Sequence, residues 1–241
     1  MVPGDRRDRR CFLPSLHRGD CEIDSHEAHH LATVLRAAVG DSVELFDGCG
    51  HVAHATITAV TKRRVVVTVA DVRHIPAEPH QLILATAVPK GERCDWLVEK
   101  ATELGVTRWV PLVTERSTVH PRDSKLDRLR QIVISACKQS GRNWLMEISP
   151  VMPWREFVSS SDALPELLVA APGSRQRLSL AASPPATCVA IGPEGGWTEQ
   201  ELDLARQHGA TFVSLGPHIL RIETAAIAVA AVWRLTSAHE E

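Results

Sequence analysis

From Gln81 to the C-terminus, short apolar runs alternate with amphipathic segments, and this alternation restricts the fold of the 241-residue chain more than any other feature. Continuous apolar runs of this kind are typical of strands that are buried in a parallel sheet. The runs are LILATAV (82–88), WVPLV (109–113), LLVAA (167–171), TCVAI (187–191) and TFVSL (211–215). The alternation therefore predicts an α/β domain with a mostly parallel sheet.

Four amphipathic segments in this region are predicted to be helices. Thr198-x-x-Glu201 is a capping box, so a helix should begin there and end at Gly209. The last segment, 223–235, is rich in Ala and Val and should pack closely against an apolar surface. The other two helices are expected at 92–104, ending at Gly105, and at 124–139, beginning with Ser124-x-x-Asp127.

The first seventy residues have the pattern of a small β-barrel. Runs rich in β-branched residues at 42–46, 51–60 and 65–73 are separated by turn residues. A helix with Ser25 as its N-cap is expected to precede them and to end at Gly40. Two prolines in 75–80 favour a linker, because proline removes backbone donors. We therefore predict a barrel at 1–74, a linker at 75–80 and the α/β domain at 81–241.

The composition excludes several classes of protein. Lys and Arg total 27 against 29 Asp and Glu, so any attraction to nucleic acid must be local. No apolar stretch reaches the roughly 20 residues of a membrane helix, and the N-terminus lacks the apolar core of a signal peptide. The six cysteines include no C-x-x-C pair, and H-E-x-x-H is absent. We expect a cytoplasmic protein without a metal site.

A glycine-rich loop follows one predicted strand, and a second loop follows another. Three glycines in Ile191-Gly192-Pro193-Glu194-Gly195-Gly196 let the backbone approach a ligand, and neither a G-x-G-x-x-G fingerprint nor a phosphate loop is present. Such a loop suits a nucleoside. The second loop runs from Leu215 into the terminal helix, and the two together predict a cleft at the carboxyl edge of the sheet. Alternatively, Glu223 caps its helix and Arg221 pairs with a surface carboxylate.

Basic residues are concentrated in 116–142, which holds seven Arg and Lys against two Asp, a charge of +5. The segment 188–241 holds three Arg against seven acidic residues, a charge of −4. A basic helix face is often simply solvated. Here, however, the motif at 139–143, Gln-Ser-Gly-Arg-Asn, gathers side chains suited to base edges and phosphates, which favours RNA.

Six motifs in order resemble those of the ribosomal RNA small subunit methyltransferase E (RsmE) family, of the SPOUT class. They are Lys90-Gly91-Glu92-Arg93, the segment 99–106, Pro111-Leu112 with Glu115-Arg116-Ser117, the segment 139–143, IGPEGG (191–196) and LGPHILRIETA (215–225). Arg10-Cys11-Phe12, His30-Leu31 with Val34-Leu35-Arg36, and Phe46-Asp47-Gly48 are similar to the PUA-like barrel of that family. Lys138 and Met146 depart from the family pattern, in which an acidic residue and a proline are usual.

The resemblance implies a C-terminal SPOUT domain with a trefoil knot, although chains rarely knot. It also implies transfer of a methyl group from S-adenosylmethionine to N3 of a uridine in 16S ribosomal RNA. The substrate would be the assembled or partly assembled small subunit, and the enzyme a homodimer. Two rivals stay open: a SPOUT enzyme that acts on another RNA or atom, and a non-catalytic RNA-binding assembly factor. A nucleotide-dependent α/β enzyme is disfavoured, since it would carry a phosphate loop.

The resemblance also implies roles for individual residues. Glu194 is the candidate proton acceptor, or else a structural residue, and Arg221 the candidate for stabilising negative charge on uracil. The residues predicted to bind the cofactor are Ala171, Pro172, Ile191, Gly192, Pro193, Glu194, Gly195, Gly196, Leu215, Gly216, Ile219, Leu220, Arg221, Glu223, Thr224 and Ala225. The residues predicted to bind RNA are Arg10, Arg36, Lys90, Arg116, Lys138, Gln139 and Arg142.

Overall fold

The chain folds into two compact units. The computed structural model describes residues 9–23, 25–61, 63–119, 123–160, 166–180 and 186–237. The first unit comprises residues 1–77 together with 134–145, and the second comprises 78–133 together with 146–241. Parts of the predicted basic stretch and helix start lie outside the described residues, namely Arg122 and the side chains of Ser124 and Lys125.

The first unit is built on a mostly antiparallel sheet of six strands. Three strands were predicted, of which those at 42–46 and 51–60 are confirmed and the third ends at Val69 rather than at residue 73. The sheet order is β1-β3-β4-β5-β2, with β6 on β4, and only β1 and β3 pair in parallel. The strands are β1 (Arg10–Phe12), β2 (Gly19–Ile23), β3 (Ser42–Phe46), β4 (His51–Val60), β5 (Val65–Val69) and β6 (Arg73–His74).

The helix predicted between Ser25 and Gly40 is shorter than expected. Helix α1 (Ser25–His29) passes into a π-helical turn (His30–Val34) and stops, and the side chain of Ser25 lies outside the described part. Arg36 adopts a left-handed conformation with φ of 48°, and the amide of Ala37 donates to the carbonyl of Leu31 at 3.0 Å. This backward hydrogen bond closes the turn and prevents the helix from continuing.

The second unit contains a seven-stranded sheet in which every pairing is parallel, as the alternation predicts. The order is β10-β8-β7-β12-β11-β13, and β9 also pairs with β8. All five predicted strands are present, whereas the two-residue strands β9 and β10 were missed. The strands are β7 (Gln81–Ala87), β8 (Arg108–Val113), β9 (Glu147–Ile148), β10 (Met152–Pro153), β11 (Leu167–Ala170), β12 (Ala186–Ile191) and β13 (Thr211–Val213).

The helices of this region confirm the predicted amphipathic segments and add one more, α4. The terminal helix buries Ala226, Val229 and Trp233 and contacts both α2 and β7, as its apolar composition requires. Within the described ranges no helix is long and apolar enough to cross a membrane. The helices are α2 (Glu92–Glu103), α3 (Asp123–Ser140), α4 (Trp154–Ser159), α5 (Glu199–Gln207) and α6 (Ile222–Ser237), of which α3 continues from the second unit into the first.

Candidate functional site

Three loops meet at the carboxyl edge of the parallel sheet in the second unit. Strands β12, β11 and β13 are neighbours, and Ala170 lies opposite both Ile191 and Val213, at or next to the strand ends. The loops that follow enclose a cavity of about 260 Å³. Its lining residues are Ala170, Ala171, Pro172, Ile191, Gly192, Pro193, Glu194, Gly195, Gly196, Trp197, Ser214, Leu215, Gly216, His218, Ile219, Leu220 and Ala225.

The glycine loop lies directly on the ring of Trp197, whose Nε1 donates to the carbonyl of Ala170 at 3.0 Å. A Cβ added at Gly192 would lie 2.8 Å from Cε2 of this indole, closer than side-chain carbons approach one another. The loop then turns at Gly196, which has φ of 71° and whose amide donates to the carbonyl of Pro193 at 2.8 Å. Glycine is therefore required at 192 by close approach and is favoured at 196 by conformation.

A buried carboxylate fixes the end of this loop. Thr198 and Glu201 form the predicted capping box of α5, with Oε2 of Glu201 accepting from the amide of Thr198 at 2.9 Å. Oε1 of the same carboxylate accepts from the amide of Glu115 at 2.8 Å, and Glu201 is only 8% exposed. One side chain thus begins the helix and joins the loop after β8 to the loop after β12.

Most of the predicted cofactor residues line the cavity, and three do not. Arg221, Glu223 and Thr224 lie outside its wall, whereas Ala225 in the first turn of α6 belongs to it. Four lining residues were not predicted: Ala170, Trp197, Ser214 and His218. The sequence contains a signal for Trp197, which directly follows the glycine run. An aromatic ring at that position can pack on the backbone that the glycines leave without side chains.

An arginine that sequence reasoning left without a role lies between two of the candidate carboxylates. Nη1 of Arg93, in the first turn of α2, is 3.8 Å from Oε1 of Glu194 and 3.6 Å from Oε1 of Glu223. The Glu223 side chain is 8% exposed, and its Oε2 has no hydrogen-bond partner among the described residues. Glu194 is 45% exposed. A buried carboxylate needs a counter-charge, so Arg93 is held by Glu223 and presents its charge to Glu194.

The two other polar candidates differ in their surroundings. Arg221 is exposed, and no carboxylate in the described part of the chain pairs with its guanidinium. Arg116, predicted to bind RNA, donates from Nη1 to the carbonyl of Gly195 at 2.8 Å and packs its stem against that glycine. Arg116 therefore supports the glycine loop while its side chain remains exposed.

The predicted RNA residues of the first unit divide into exposed and internal positions. Arg36 and Gln139 are exposed, as is Lys90 in the second unit, and Arg142 is half-buried. Lys138 forms an ion pair at 2.8 Å with Glu27, both side chains being largely buried. Lys138, the departure from the family pattern, thus neutralises a carboxylate inside the first unit.

Arg10 is an interior residue, which argues against its predicted contact with RNA. It is 4% exposed, its Nε lies 2.7 Å from Oε1 of Glu44, and its Nη1 donates to the carbonyls of Cys137 at 2.6 Å and Arg142 at 3.0 Å. Its Nη2 donates to Oδ1 of Asn143. Burial lowers the pKa of Arg10, an effect that Glu44 opposes. The guanidinium holds the 137–143 segment rather than reaching solvent.

The sequence and the fold match those of known proteins. Residues 76–234 match a family model described as an RNA methyltransferase domain, and residues 23–70 match an RNA methyltransferase PUA domain. The chain is therefore an RNA methyltransferase with a PUA-like N-terminal domain, and the predicted α/β class is confirmed.

Individual relatives narrow this class. The ribosomal RNA small subunit methyltransferase E of Synechocystis sp. is 35% identical over 212 residues, covering 84% of this chain and 69% of that protein. A structure of this enzyme from Neisseria gonorrhoeae, bound to S-adenosylmethionine, superposes with a TM-score of 0.84 at 33% identity, covering 94% of this chain and 97% of that one. A putative methyltransferase from Legionella pneumophila with bound S-adenosylmethionine gives 0.85 at 33% identity, covering 94% and 96%. The chain belongs to the ribosomal RNA small subunit methyltransferase E family.

Proposed function

We propose that this protein transfers a methyl group from S-adenosylmethionine to N3 of a specific uridine in 16S ribosomal RNA. The observation that carries the proposal is the cavity formed by the loops after β11, β12 and β13, in a chain whose Legionella and Neisseria relatives hold the same cofactor. The RNA would be presented in the assembled or partly assembled small subunit, and the enzyme would act in the cytoplasm.

The residues around the cavity fit this cofactor. Gly192 packs its bare backbone against the ring of Trp197, and Gly192, Gly195 and Gly196 all line the cavity, where no side chain of theirs hinders a ligand. The volume of about 260 Å³ is near the roughly 300 Å³ at which small-molecule sites begin. The loops at 191–196 and 215–220, with Ala171 and Pro172, would hold the nucleoside and methionine parts. The bound cofactor supplies an electrophilic methyl group on a sulfonium.

The protein would accelerate the transfer mainly by position and charge. Apolar walls such as Ile191, Leu215 and Leu220 exclude water, which would compete with uracil for the methyl group. Holding the uracil N3 about 3 Å from the methyl carbon converts an encounter into an intramolecular step. Uracil N3 carries a weakly acidic proton, so the site must remove it or stabilise the resulting anion.

We assign proton acceptance to Glu194, the carboxylate within the glycine loop. Its partial exposure allows contact with substrate, and Arg93 at 3.8 Å restrains its orientation. Arg221, exposed and with no paired carboxylate in the described ranges, would stabilise the negative charge that develops on a uracil carbonyl. Glu223 would act through Arg93 rather than on the substrate.

Replacing Gly192 with Ala is expected to weaken binding of S-adenosylmethionine about thirtyfold. The added Cβ would overlap the fixed indole of Trp197 and push the loop out of its binding position, and restoring that position costs roughly 2 kcal/mol. Isothermal titration calorimetry would measure the affinity. The control is Gly195→Ala, whose Cβ would lie 3.2 Å from Cβ of Arg116, a contact that a small shift relieves, whereas the Cβ at 192 would lie 2.8 Å from the indole. We expect this control to change the affinity less than about threefold. Equal affinities of parent and Gly192→Ala would contradict the proposed binding of the cofactor by the glycine loop.

We also propose that two copies associate through the outer face of α6. Val232 is 41% exposed and Leu235 is 72% exposed on this helix, and Ile219 in the preceding loop is 86% exposed. Val232 and Leu235 lie three residues apart and so share one face of α6, and exposed apolar side chains on one face mark association surfaces. Substituting Glu at both 232 and 235 should convert a dimer to a monomer in sedimentation equilibrium. Val39→Glu, at an exposed apolar residue of the first unit, should not. A monomeric parent protein would refute this interface.

The function is tested by incubating the purified protein with small ribosomal subunits and S-adenosylmethionine that carries a labelled methyl group. Transfer of the label to 16S ribosomal RNA and its recovery as N3-methyluridine would support the proposal. Label in another base would indicate a different acceptor. Calorimetric failure to bind S-adenosylmethionine would leave the non-catalytic assembly factor as the better account.

A further inference from the structure

Three aromatic rings lie in a row on the first unit, and the proposed methyl transfer uses none of them. The ring centroids of His51 and His74 are 4.9 Å apart, and those of His74 and Trp144 are 5.9 Å apart with the rings nearly perpendicular. The His51 side chain is 46% exposed, His74 is exposed and Trp144 is half-buried. We call His51, His74 and Trp144 the aromatic row.

Backbone pairing brings the three rings together from distant parts of the sequence. His51 on β4 lies directly opposite His74 on β6. The segment that carries Trp144 is joined to the turn before β4, where the amide of Gly50 donates to the carbonyl of Asn143 at 3.2 Å and the amide of Leu145 to that of Gly48 at 3.0 Å. The row is therefore supported by hydrogen-bonded backbone rather than by a loose loop.

Two of the rings are also fixed individually. Nε1 of Trp144 donates to the carbonyl of Ile75 at 3.0 Å, and a Cβ at Gly50 would lie 2.6 Å from the ring, so the indole rests on bare backbone. Nδ1 of His51 donates to Oδ2 of Asp47 at 2.6 Å. The other oxygen of Asp47 accepts from the amides of Cys49 and His51 at 2.7 and 3.0 Å. Rings held in place lose little freedom when a ligand stacks on them.

The segments that carry the row also carry arginines. Arg73, adjacent to His74 on β6, is exposed, and no carboxylate among the described residues pairs with it. Arg142 lies two residues before Trp144. The nearby carboxylate, Asp47, is only 12% exposed and its oxygens are engaged by His51 and the turn. Rings in a row, on segments that also carry arginines, fit a ligand that has many negative charges and exposed aromatic faces.

We propose that the aromatic row is a stacking platform for unpaired bases of the RNA substrate, an inference that rests on the proposed function. Single-stranded RNA presents the π-faces that stack on aromatic side chains, whereas duplex RNA hides them between its base pairs. Arg73 would contact the adjoining phosphates. The platform would hold unpaired nucleotides of the same RNA.

The first test is binding of a short fluorescent oligouridylate, followed by anisotropy. His74→Ala should weaken this binding about tenfold, and His74→Phe, which keeps a ring, should restore most of it. The matched control is His54→Ala, an exposed histidine on β4 outside the row, and it should bind as the parent does. A duplex of the same length should bind equally weakly to parent and His74→Ala protein.

The second test uses a cysteine at the edge of the row. Of the six cysteines, all in the described part of the chain, Cys49 alone is exposed, and its backbone pairs with that of Trp144 in an isolated antiparallel β-bridge. Burial raises the pKa of the Cys188 thiol to about 12, so that residue stays protonated and unreactive. Oligouridylate should slow alkylation of Cys49 in the parent and in His54→Ala, but much less in His74→Ala. Protection of Cys11 and Cys21 would show that the first unit is folded.

Equal affinity and equal Cys49 protection in His74→Ala and His54→Ala would overturn the platform. A parent protein that methylates small subunits but does not bind oligouridylate would also refute the platform, while leaving the proposed function intact. A parent that neither methylates subunits nor binds any RNA would refute the proposed function, and the platform with it.

Discussion

Replacing Glu194 with Gln is expected to lower kcat for methyl transfer about a hundredfold, the usual contribution of a positioned general base. The amide cannot accept the uracil N3 proton, but it has nearly the same size as the carboxylate. Glu194 lies in the cavity wall with its side chain half-exposed, so the substitution should alter the affinity for S-adenosylmethionine less than about twofold. Steady-state kinetics of methyl transfer to small ribosomal subunits would measure kcat for the parent and the variant.

The control for this experiment is Glu199→Gln, which removes the same charge from an exposed position in the first turn of α5. Its kcat should remain within about twofold of the parent's. Arg93→Met should give an intermediate loss, because it leaves Glu194 in place without the restraint from Arg93. If Glu194→Gln transferred methyl groups at the parent's rate, Glu194 would be a structural residue rather than the proton acceptor.

Replacing Arg10 with Ala is expected to destabilise the first unit by about 3 kcal/mol, at the low end for a broken buried ion pair because Glu44 is a third exposed. The change would leave Glu44 without its counter-charge and would remove the guanidinium donor from the carbonyls of Cys137 and Arg142. Urea unfolding followed by circular dichroism would measure the loss. Hydrogen exchange in β3 and β4 would show that it occurs in this unit.

The adjacent residue offers a control for the Arg10 experiment. Arg9 pairs with Asp41 at 2.8 Å, but both side chains are about a third exposed. Arg9→Ala should therefore cost less than about 1 kcal/mol. If the Arg10 and Arg9 variants unfolded at the same urea concentration, the buried guanidinium would not be what secures the 137–143 segment.

The parts of the fold that were predictable are those that depend on local pattern. Short apolar runs such as 187–191 are typical of strands buried on both faces of a sheet, and the pairing of Thr198 with Glu201 satisfies helix amides within four residues. Loops that leave parallel strands at one edge must converge, which placed the cavity correctly. The trefoil knot and the homodimer are implied by the family resemblance and stay predictions.

The features that were missed depend on contacts between distant residues. In the sequence Arg10 belongs to a basic N-terminal segment, yet the carbonyl to which it donates, that of Cys137, is 127 residues away. Arg93 acquires a role only because α2 and α6 pack together and bring Glu223 beside it. The helix after Ser25 stops early because Arg36 takes a left-handed conformation that the sequence does not announce. Tertiary packing decides these details, and a single sequence does not display it.

Mass mapping of 16S ribosomal RNA tests the proposed reaction and its acceptor together. The RNA would be digested from cells with the protein, from cells without it, and from the latter complemented with parent or Glu194→Gln protein. We predict loss of a single N3-methyluridine in the absence of the protein and its return with the parent but not with the variant. An unchanged nucleotide map, or loss of a methyl group at another base or atom, would contradict the proposed methylation of uridine N3.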